Sequence, residues 1–314
     1  MSFSAHDLEL FERSRARLEA VAYRLLGSAG DAEDMVQETF LRWQAADRAR
    51  IEQPAAWLTK VLTNLCLNQL TSARARRESY VGMWLPEPLL AGDRMLGPVD
   101  TVEQRESVSI AVLTLMERLS ANERAVYVLR EAFGYPHGVI AEILDLTESN
   151  CQQLYRRAKQ HVAAGRARVQ VDQASARTVV AEFLAAASSG EIERLVELLT
   201  EDATSVGDGG GKIPARVTPV IGASAVARFM RGIFKASELR REALGGYATL
   251  YAEVVNDAPA VVVVVNDRVV GVLSLTVTAE GVTAIHAQVN PDKLDRVTRQ
   301  WSASAHREPL LDRW

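Results

Sequence analysis

Residues 119–162 read LSANERAVYVLREAFGYPHGVIAEILDLTESNCQQLYRRAKQHV. The spacing of the apolar side chains predicts an amphipathic helix, then a short helix over 137–144 and a longer one over 148–163. Residues 145–147 form a tight turn between the last two, and the hydroxyl of Thr147 can cap the following helix. This order of a short helix, a turn and a polar helix is the signature of a helix-turn-helix unit.

The last of these helices carries polar and basic side chains on its predicted outer face. They are Ser149, Asn150, Gln152, Gln153, Arg156, Arg157 and Lys159. The N-terminal residues of such a helix read bases in the major groove, and its cations bind phosphates. The whole chain has a net charge of -4, so this basic surface is a local patch. The alternative is a plain helical hairpin with a solvated basic end.

Nearer the N-terminus, residues 30–43 read GDAEDMVQETFLRW and predict a helix with two faces. Asp31 can cap its N-terminus, which places Asp34 at the third helical position. A second face, acidic and containing one leucine, is formed by Asp34, Gln37, Glu38 and Leu41. A solvated charged face is the alternative, and catalysis by paired carboxylates is disfavoured because no nucleophile lies nearby.

The next helix, over residues 53–70, reads QPAAWLTKVLTNLCLNQL. Lys60, Asn64 and Asn68 make a polar stripe at i, i+4 and i+8, and a basic run follows that contains Arg74, Arg76 and Arg77. Amide side chains can read base edges and cations hold phosphates, so this stripe is a candidate DNA-binding surface.

The remainder of the chain divides into a linker and a mixed domain. Pro86 and Pro88 exclude a helix between the two helical parts. Beyond residue 174 we predict helices over 177–203 and 225–234, then strands over 247–255, 260–265, 268–278 and 282–289. Turns between these strands are predicted at Asn256-Asp257, Asn266-Asp267 and Glu280-Gly281. The fold class is therefore multidomain, with two all-α domains followed by an α+β cone. The predicted boundaries are 1–72, a linker 73–107, a helix-turn-helix domain 108–170, the α+β domain 174–294 and a tail 295–314.

A glycine-rich loop, SVGDGGGKIPA at 205–215, invites comparison with a phosphate-binding loop. That motif needs a glycine, four intervening residues, then Gly-Lys followed by serine or threonine. Val206 and Ile213 occupy those positions, so a nucleotide site is excluded and a contact loop is favoured.

Composition excludes several other classes. Cys66 and Cys151 form no CxxC pair and the five histidines are scattered, so we expect no metal and no cofactor. The charged N-terminus and the short apolar runs predict no membrane association and a cytoplasmic location. Asp208, Lys212, Asp257 and His286 are the candidate catalytic groups of the α+β domain, but we interpret His286 as a hydrogen-bonded wall residue and expect no enzyme.

The stretches at 30–43 and 53–70 resemble region 2 of the extracytoplasmic-function (ECF) sigma factors of bacterial RNA polymerase, and 119–162 resembles region 4. The resemblance implies that Asp31, Asp34, Gln37, Glu38 and Leu41 dock on the clamp helices of the largest subunit of core RNA polymerase. It assigns the second helix and residues 45–53 to the minus-ten promoter DNA element, and the helix-turn-helix to the minus-thirty-five element. Asn68, Gln152 and Leu154 depart from the residues usual in the family.

Three further motifs resemble a subgroup of ECF sigma factors with a fused SnoaL-like (NTF2-like) domain. These motifs are WLPEPL at 84–89, DGGGK at 208–212 and NPDKL at 290–294. The resemblance implies a regulatory domain that acts on the sigma part from within. The implied interdomain residues are Trp84, Leu85, Pro86, Asp208, Gly209, Gly210, Gly211, Lys212, Asn290, Pro291, Asp292 and Lys293. We expect Trp84 and Leu85 to be apolar anchors against the glycine-rich loop, with Lys212 as its polar anchor.

Two other functions fit parts of the sequence. One is a one-component helix-turn-helix regulator with a small-ligand-binding domain, to which the acidic Asp34 and Glu38 surface would be useless. The other makes the C-terminal domain an enzyme on a small organic substrate, which would require a pocket with a perturbed carboxylate.

Overall fold

The computed structural model describes residues 3–78, 80–97, 101–163, 173–235, 237–306 and 308–314, without the side chains of 73–78, 102, 173–174 and 239–240. The chain separates into a helical unit and a sheet unit. The helical unit comprises Met1–Ser79, Gly92–Val108 and Val112–Gly165, and the sheet unit comprises Tyr80–Ala91, Ser109–Ala111 and Arg166–Trp314. The segment predicted as one linker is thus divided between them.

The helices up to residue 163 are α1 (Ala5–Leu26), α2 (Ala29–Ala45), α3 (Pro54–Glu78), α4 (Val102–Glu106), α5 (Ile110–Met116), α6 (Ala121–Glu131), α7 (His137–Leu144) and α8 (Glu148–Ala163). Short 3-10 helices cover Arg48–Arg50 and Arg94–Leu96. The indole of Trp43 on α2 is buried, contacts Trp57 on α3, and donates a 3.0 Å hydrogen bond to the carbonyl of Asp7 on α1. This residue therefore joins the first three helices.

The prediction that Asp31 caps α2 is wrong. The helix begins at Ala29, and the Ser28 hydroxyl accepts the backbone N–H of Asp31 at 3.2 Å. Ser28 takes the cap position because Gly27, with φ of 67°, ends α1 immediately before it. Asp34 consequently lies in the second turn of the helix rather than at its third position.

The helix-turn-helix agrees with the prediction. Helices α7 and α8 have the predicted bounds, Asp145 has the left-handed φ of 54°, and the Thr147 hydroxyl accepts the N–H of Asn150 at 3.2 Å. Ile140 and Ile143 are buried. The predicted cap and inward face are both confirmed.

In the sheet unit the elements are α9 (Gln173–Ser189), α10 (Ile192–Leu198), β1 (Leu199–Asp208), β2 (Val220–Ile221), α11 (Ala223–Phe234), α12 (Glu238–Leu244), β3 (Thr249–Val255), β4 (Ala258–Val265), β5 (Arg268–Thr278), β6 (Gly281–Gln288) and α13 (Asp295–Ser302), with a 3-10 helix at Pro291–Lys293. The strand order is β2-β1-β6-β5-β4-β3. Strands β1 and β6 are parallel and the other neighbours are antiparallel. The predicted α+β architecture is confirmed.

The four predicted strands are present, and their turns have the predicted chemistry. Asn256 and Asp257 have φ of 51° and 58°, and Asn266 and Asp267 have φ of 48° and 60°. Two consecutive residues with positive φ make the tight hairpin turn that matches the twist of the strands.

The prediction that this helical region extends to residue 203 is wrong, because β1 begins at Leu199. Leu195, Leu199 and Ala203 are all buried, and their four-residue spacing imitates a helix. Leu199 instead pairs with Val282 of β6, and the register of the two strands shifts between Leu199 and Thr204. Long-range pairing therefore decides the conformation of this segment.

Both faces of the sheet are covered. Helices α9, α10 and α11 pack on one face around Phe183, Met230 and Phe234. A second apolar cluster on the sheet includes Val272 of β5 and Trp301 of α13. The residues predicted as a tail also pack on this unit: Leu311 accepts a backbone hydrogen bond from Leu250 at 2.8 Å. Among the described residues, none of the helices has the length and apolar character needed to span a bilayer.

Candidate functional site

The outer face of α8 is available to a partner. All seven residues predicted to read or hold DNA, from Ser149 to Lys159, are exposed, whereas Cys151 and Ala158 on the opposite face are buried. The hydroxyl of Tyr155 donates to the carboxylate of Glu131, which fixes α8 on α6. Arg166 and Arg168, which would extend the basic patch, lie outside the described residues.

Helix α2 presents the predicted acidic surface. Asp34 and Gln37 are exposed, and Leu41 is 50% exposed although it is a large apolar residue. Glu38 pairs with Arg42 at 2.9 Å on the same helix. Asp31 is half-buried and accepts the Gln69 amide at 3.2 Å, so it is positioned by α3. Asp34, Gln37 and Leu41 therefore share an exposed face of α2.

Part of the polar stripe on α3 makes contacts within the protein. Asn68 is exposed and Asn64 is half-buried. The Lys60 ammonium donates to the Asp145 carboxylate at 2.6 Å and to the Glu142 carbonyl at 2.8 Å, both at the end of α7. Lys60 is thus already bound within the helical unit, where the C-terminus of a helix attracts a cation. The side chains of Arg74, Arg76 and Arg77 lie outside the described residues.

Within the sheet unit, a buried carboxylate gathers the three sequence motifs. Asp208 at the end of β1 is 0% exposed. It accepts hydrogen bonds from the Tyr80 hydroxyl (2.6 Å), the Leu85 N–H (2.9 Å), the Gly210 N–H (3.0 Å), the Gln288 amide (3.3 Å) and the Lys293 ammonium (2.7 Å). We call Tyr80, Leu85, Asp208, Gln288, Asn290 and Lys293 the linker clamp. Strands β1 and β6 run parallel, and Asp208 on β1 lies opposite Gln288 on β6.

Lys293 supplies the cation of the linker clamp. Its ammonium also donates to the carbonyl of Leu85 at 2.7 Å, and it lies 4.2 Å and 4.9 Å from the ring centroids of Trp84 and Tyr80. The Asn290 amide donates to the Tyr80 hydroxyl at 2.8 Å. Burial and the hydrogen bond to Asp208 raise the pKa of Tyr80, which keeps its hydroxyl a proton donor.

The polar anchor therefore differs from the predicted one. Lys212 pairs with Asp292 at 2.6 Å, but these side chains are 55% and 62% exposed, so water screens the pair. Of the two predicted apolar anchors, Leu85 is buried and Trp84 is half-buried; Pro86 is buried as well. Tyr80 and Gln288 were missed. Gln288 lies on the same face of its strand as His286, so the alternation of that strand could have identified it. Tyr80 lies before the WLPEPL motif, and no sequence pattern marks it as a site residue.

The glycines of the DGGGK motif are explained by close packing. A Cβ on Gly209 would lie 2.0 Å from the carbonyl oxygen of Ile213. Gly210 has φ of 61°, and a Cβ there would lie 2.3 Å from the Asn290 amide nitrogen. Both positions require glycine because a Cβ would meet its neighbours too closely, so the loop packs tightly beside the linker clamp.

His286 occupies a buried position beside the clamp. Its side chain is 8% exposed, it pairs across the strands with Val206 and Ser274, and its Nδ1 has no hydrogen-bond partner. Burial lowers the pKa of His286 to about 4, so the imidazole is neutral. His286 is therefore a buried wall residue as predicted, but its Nδ1 lacks the predicted hydrogen bond. Within the described part of the chain, no three side chains of metal-binding type come together.

Comparison with known proteins finds matches to both parts of the helical unit. The Sigma-70 region 2 model matches residues 10–76, which include α2 and most of α3, and the Sigma-70 region 4 model matches residues 109–162. The ECF RNA polymerase sigma factor SigJ of Mycobacterium tuberculosis is 40% identical over 228 residues, which cover 72% of this chain and 73% of SigJ. This chain belongs to the ECF sigma factors of RNA polymerase. The predicted resemblance is confirmed.

The similarity of this sigma factor to its relatives extends into the sheet unit. The probable ECF RNA polymerase sigma factor SigI of Mycobacterium tuberculosis is 35% identical over 288 residues, which cover 90% of this chain and 92% of SigI. The crystal structure of SigJ superposes with a TM-score of 0.69 and 32% identity, covering 91% of this sigma factor and 97% of that chain. The C-terminal extension is therefore shared with relatives of the same family.

Proposed function

We propose that this sigma factor directs promoter-specific initiation through three surfaces of the helical unit. The exposed face of α2 binds the clamp helices of core RNA polymerase, α3 and its flanking residues bind the minus-ten element, and α8 reads the minus-thirty-five element. The observation that carries the proposal is the α2 face, where Leu41 is 50% exposed beside Asp34 and Gln37. A helix-turn-helix regulator that acts without polymerase has no use for such a face.

Run-off transcription with core polymerase tests this function. The full chain should initiate at a cognate promoter only when core enzyme is present. Asp34→Lys together with Glu38→Lys should abolish initiation, while Glu9→Lys, an exposed charge reversal on α1, should leave it intact. Tight duplex binding without core enzyme, unaffected by the α2 variant, would instead favour the one-component regulator.

We further propose that the sheet unit regulates initiation by holding residues 80–91 of the linker. The linker clamp supports this, because its buried carboxylate and ammonium both bind the backbone of Leu85. Leu89 and Asn256 exchange two further hydrogen bonds, at 2.8 Å and 2.9 Å. A linker held in this way loses the conformational freedom that a segment between two DNA-binding domains otherwise has.

Lys293→Met tests the regulatory role because it removes the cation and retains an apolar chain of similar length. Its transcription yield should differ from that of the unmodified protein, whereas Lys212→Met should not change it. Equal yields for all three proteins would exclude regulation through the clamp. We do not propose a catalytic sheet unit: of its four candidate groups, Asp208 and His286 are buried and Lys212 pairs with Asp292.

A further inference from the structure

Regions 2 and 4 contact one another within the helical unit. Helices α1 and α3 of region 2 pack against α6 and α7 of region 4. The Lys60 ammonium on α3 lies 2.6 Å from the carboxylate of Asp145, the left-handed residue in the turn of the helix-turn-helix. Beside this pair, the hydroxyls of Thr59 and Tyr135 lie 3.3 Å apart. A candidate minus-ten residue is therefore bound by the region proposed to read the minus-thirty-five element.

The end of α1 makes the rest of this contact. Arg124 of α6 is 2% exposed, and its guanidinium donates to the backbone carbonyl of Arg24 at 3.3 Å and 3.4 Å. The guanidinium of Arg17 lies 4.9 Å from the ring centroid of Tyr135. Polar contacts of this kind are typical of interfaces between domains that can move apart. We call the contacts of Thr59, Lys60 and Arg24 in region 2 with Tyr135, Asp145 and Arg124 in region 4 the closed contact.

The closed contact is too compact for both promoter elements to be bound at once. As their names state, the two elements lie about 25 base pairs apart, which is about 85 Å along the duplex. From Lys60 to its end at Glu78, α3 extends about 27 Å, and the whole of α8 extends about 24 Å. Even placed end to end, these two stretches span only about 50 Å. Regions 2 and 4 must therefore separate when each binds its own element.

The linker that joins the two regions is folded back on the same helices. The Ser107 hydroxyl accepts a hydrogen bond from Nε of Arg24 at 2.9 Å, and Met95 is 0% exposed. A Cβ on Gly97 would lie 2.6 Å from the Cβ of Ala20 on α1. Fully extended, residues 79–108 would reach about 100 Å, so the linker is long enough to join separated regions once it is released.

We propose that the closed contact is autoinhibitory, and that Asp145 occupies the place of a DNA phosphate on Lys60. Promoter binding with core polymerase separates the two regions, and Lys60 exchanges the carboxylate for the DNA backbone. The inference rests on the proposed function of α3 and α8 as the two promoter-binding surfaces. The side chains of Lys60 and Asp145 are 40% and 74% exposed, so water already reaches the pair and the exchange is open to a competing anion. A chain that is closed most of the time binds its promoter with an affinity reduced by the fraction that is open.

The first test measures the separation of the two regions in the full chain. Glu9→Cys on α1 and Ala163→Cys at the end of α8 place two dyes at exposed positions, while the native Cys66 and Cys151 are buried. Fluorescence energy transfer should report a distance longer by about 30 Å or more when core polymerase and a promoter fragment that supports run-off transcription are added. An unchanged distance in a complex that initiates transcription would overturn the inference and leave the proposed function standing. Absence of polymerase-dependent initiation would overturn the proposed function, and the inference with it.

The second test measures the affinity of the polymerase complex for the same fragment. Asp145→Asn removes the charge and retains a residue that tolerates the left-handed backbone. It should raise the affinity by about two- to fivefold, because an exposed ion pair contributes little to the closed state. Asp267→Asn is the matched control, since Asp267 is an exposed aspartate with φ of 60° in a hairpin turn of the sheet unit, and it should leave the affinity unchanged.

Lys60→Gln separates exchange from simple repulsion of DNA by Asp145. In this background Asp145→Asn should have no further effect, because the cation that it releases is absent. A gain that persists in Lys60→Gln, or no gain in the unmodified background, would overturn the proposed exchange. Melting temperatures identify any variant with a folding defect, and the distance measurement, which leaves the closed contact unmodified, then decides.

Discussion

The carboxylate of Asp208 and the ammonium of Lys293 lie 2.7 Å apart, with side chains that are 0% and 10% exposed. A buried ion pair adds stability over an apolar pair only where further hydrogen bonds satisfy both partners. Here the backbone of Leu85 supplies an N–H to the carboxylate and a carbonyl to the ammonium. The hydrogen bonds of this ion pair are therefore complete only when Leu85 of the linker is in place.

Lys293→Met should destabilise the sheet unit by about 3–5 kcal/mol, because Asp208 would remain buried without its cation. Lys212→Met removes an exposed partner at almost the same distance, and it should change the free energy of unfolding by about 1 kcal/mol or less. Denaturant unfolding gives both values, and hydrogen exchange at the Leu85 N–H reports release of the linker. Similar effects of the two variants would contradict the assignment of the anchor.

Alanine in place of Gly209 or Gly210, beside the linker clamp, should destabilise the sheet unit. Gly209→Ala places a Cβ against a backbone carbonyl, and Gly210→Ala also strains a positive φ. We expect a loss of about 1–3 kcal/mol for each. Gly232→Ala, in the open interior of α11, should instead be neutral or stabilise the fold by up to about 1 kcal/mol. Thermal unfolding distinguishes these outcomes, and a tolerated Gly209→Ala would mean that the loop is free to move.

Acid should weaken the sheet unit through His286. Its pKa is lowered to about 4 in the folded protein, whereas an unfolded histidine titrates near about 6.5. Between these values the unfolded chain binds more protons, so the free energy of unfolding falls by up to about 1.4 kcal/mol for each pH unit lowered. His286→Gln should flatten this dependence between about pH 6.5 and 4. Denaturant titrations at several pH values measure this dependence. An unaltered slope in His286→Gln would show that other groups are responsible.

Two positions on α8 should separate affinity from sequence preference. Arg156→Ala should weaken binding of the polymerase complex to all promoters alike and lower the slope of log K against log salt by about 1, because a phosphate contact is lost. Gln152→Ala should change the preferred bases with little effect on that slope. Promoter-binding titrations at several salt concentrations, with a randomised minus-thirty-five element, measure both. An unchanged base preference in Gln152→Ala would remove that residue from the readout.

Local patterns predicted the helix-turn-helix well, since its turn, cap and inward apolar residues are consecutive in the chain. They also predicted four strands and their hairpin turns, because Asn-Asp pairs favour the left-handed conformation that such turns need. They failed for Leu199 to Ala203, where pairing with β6 overrode a helical period, and at Ser28, where the end of α1 moved the start of α2.

The amino-acid order alone thus predicted the helix-turn-helix, four strands of the sheet, the exposed face of α8, the acidic face of α2 and the three motifs. Those properties depend on residues a few positions apart. The pairing of Asp208 with Lys293, the capture of Lys60 by Asp145 and the contact of Arg94 with Glu19 join residues 75 or more positions apart. Such partners are chosen by the packing of whole elements, and the buried carboxylates Asp208 and Glu19 need a charged partner because they have lost their water.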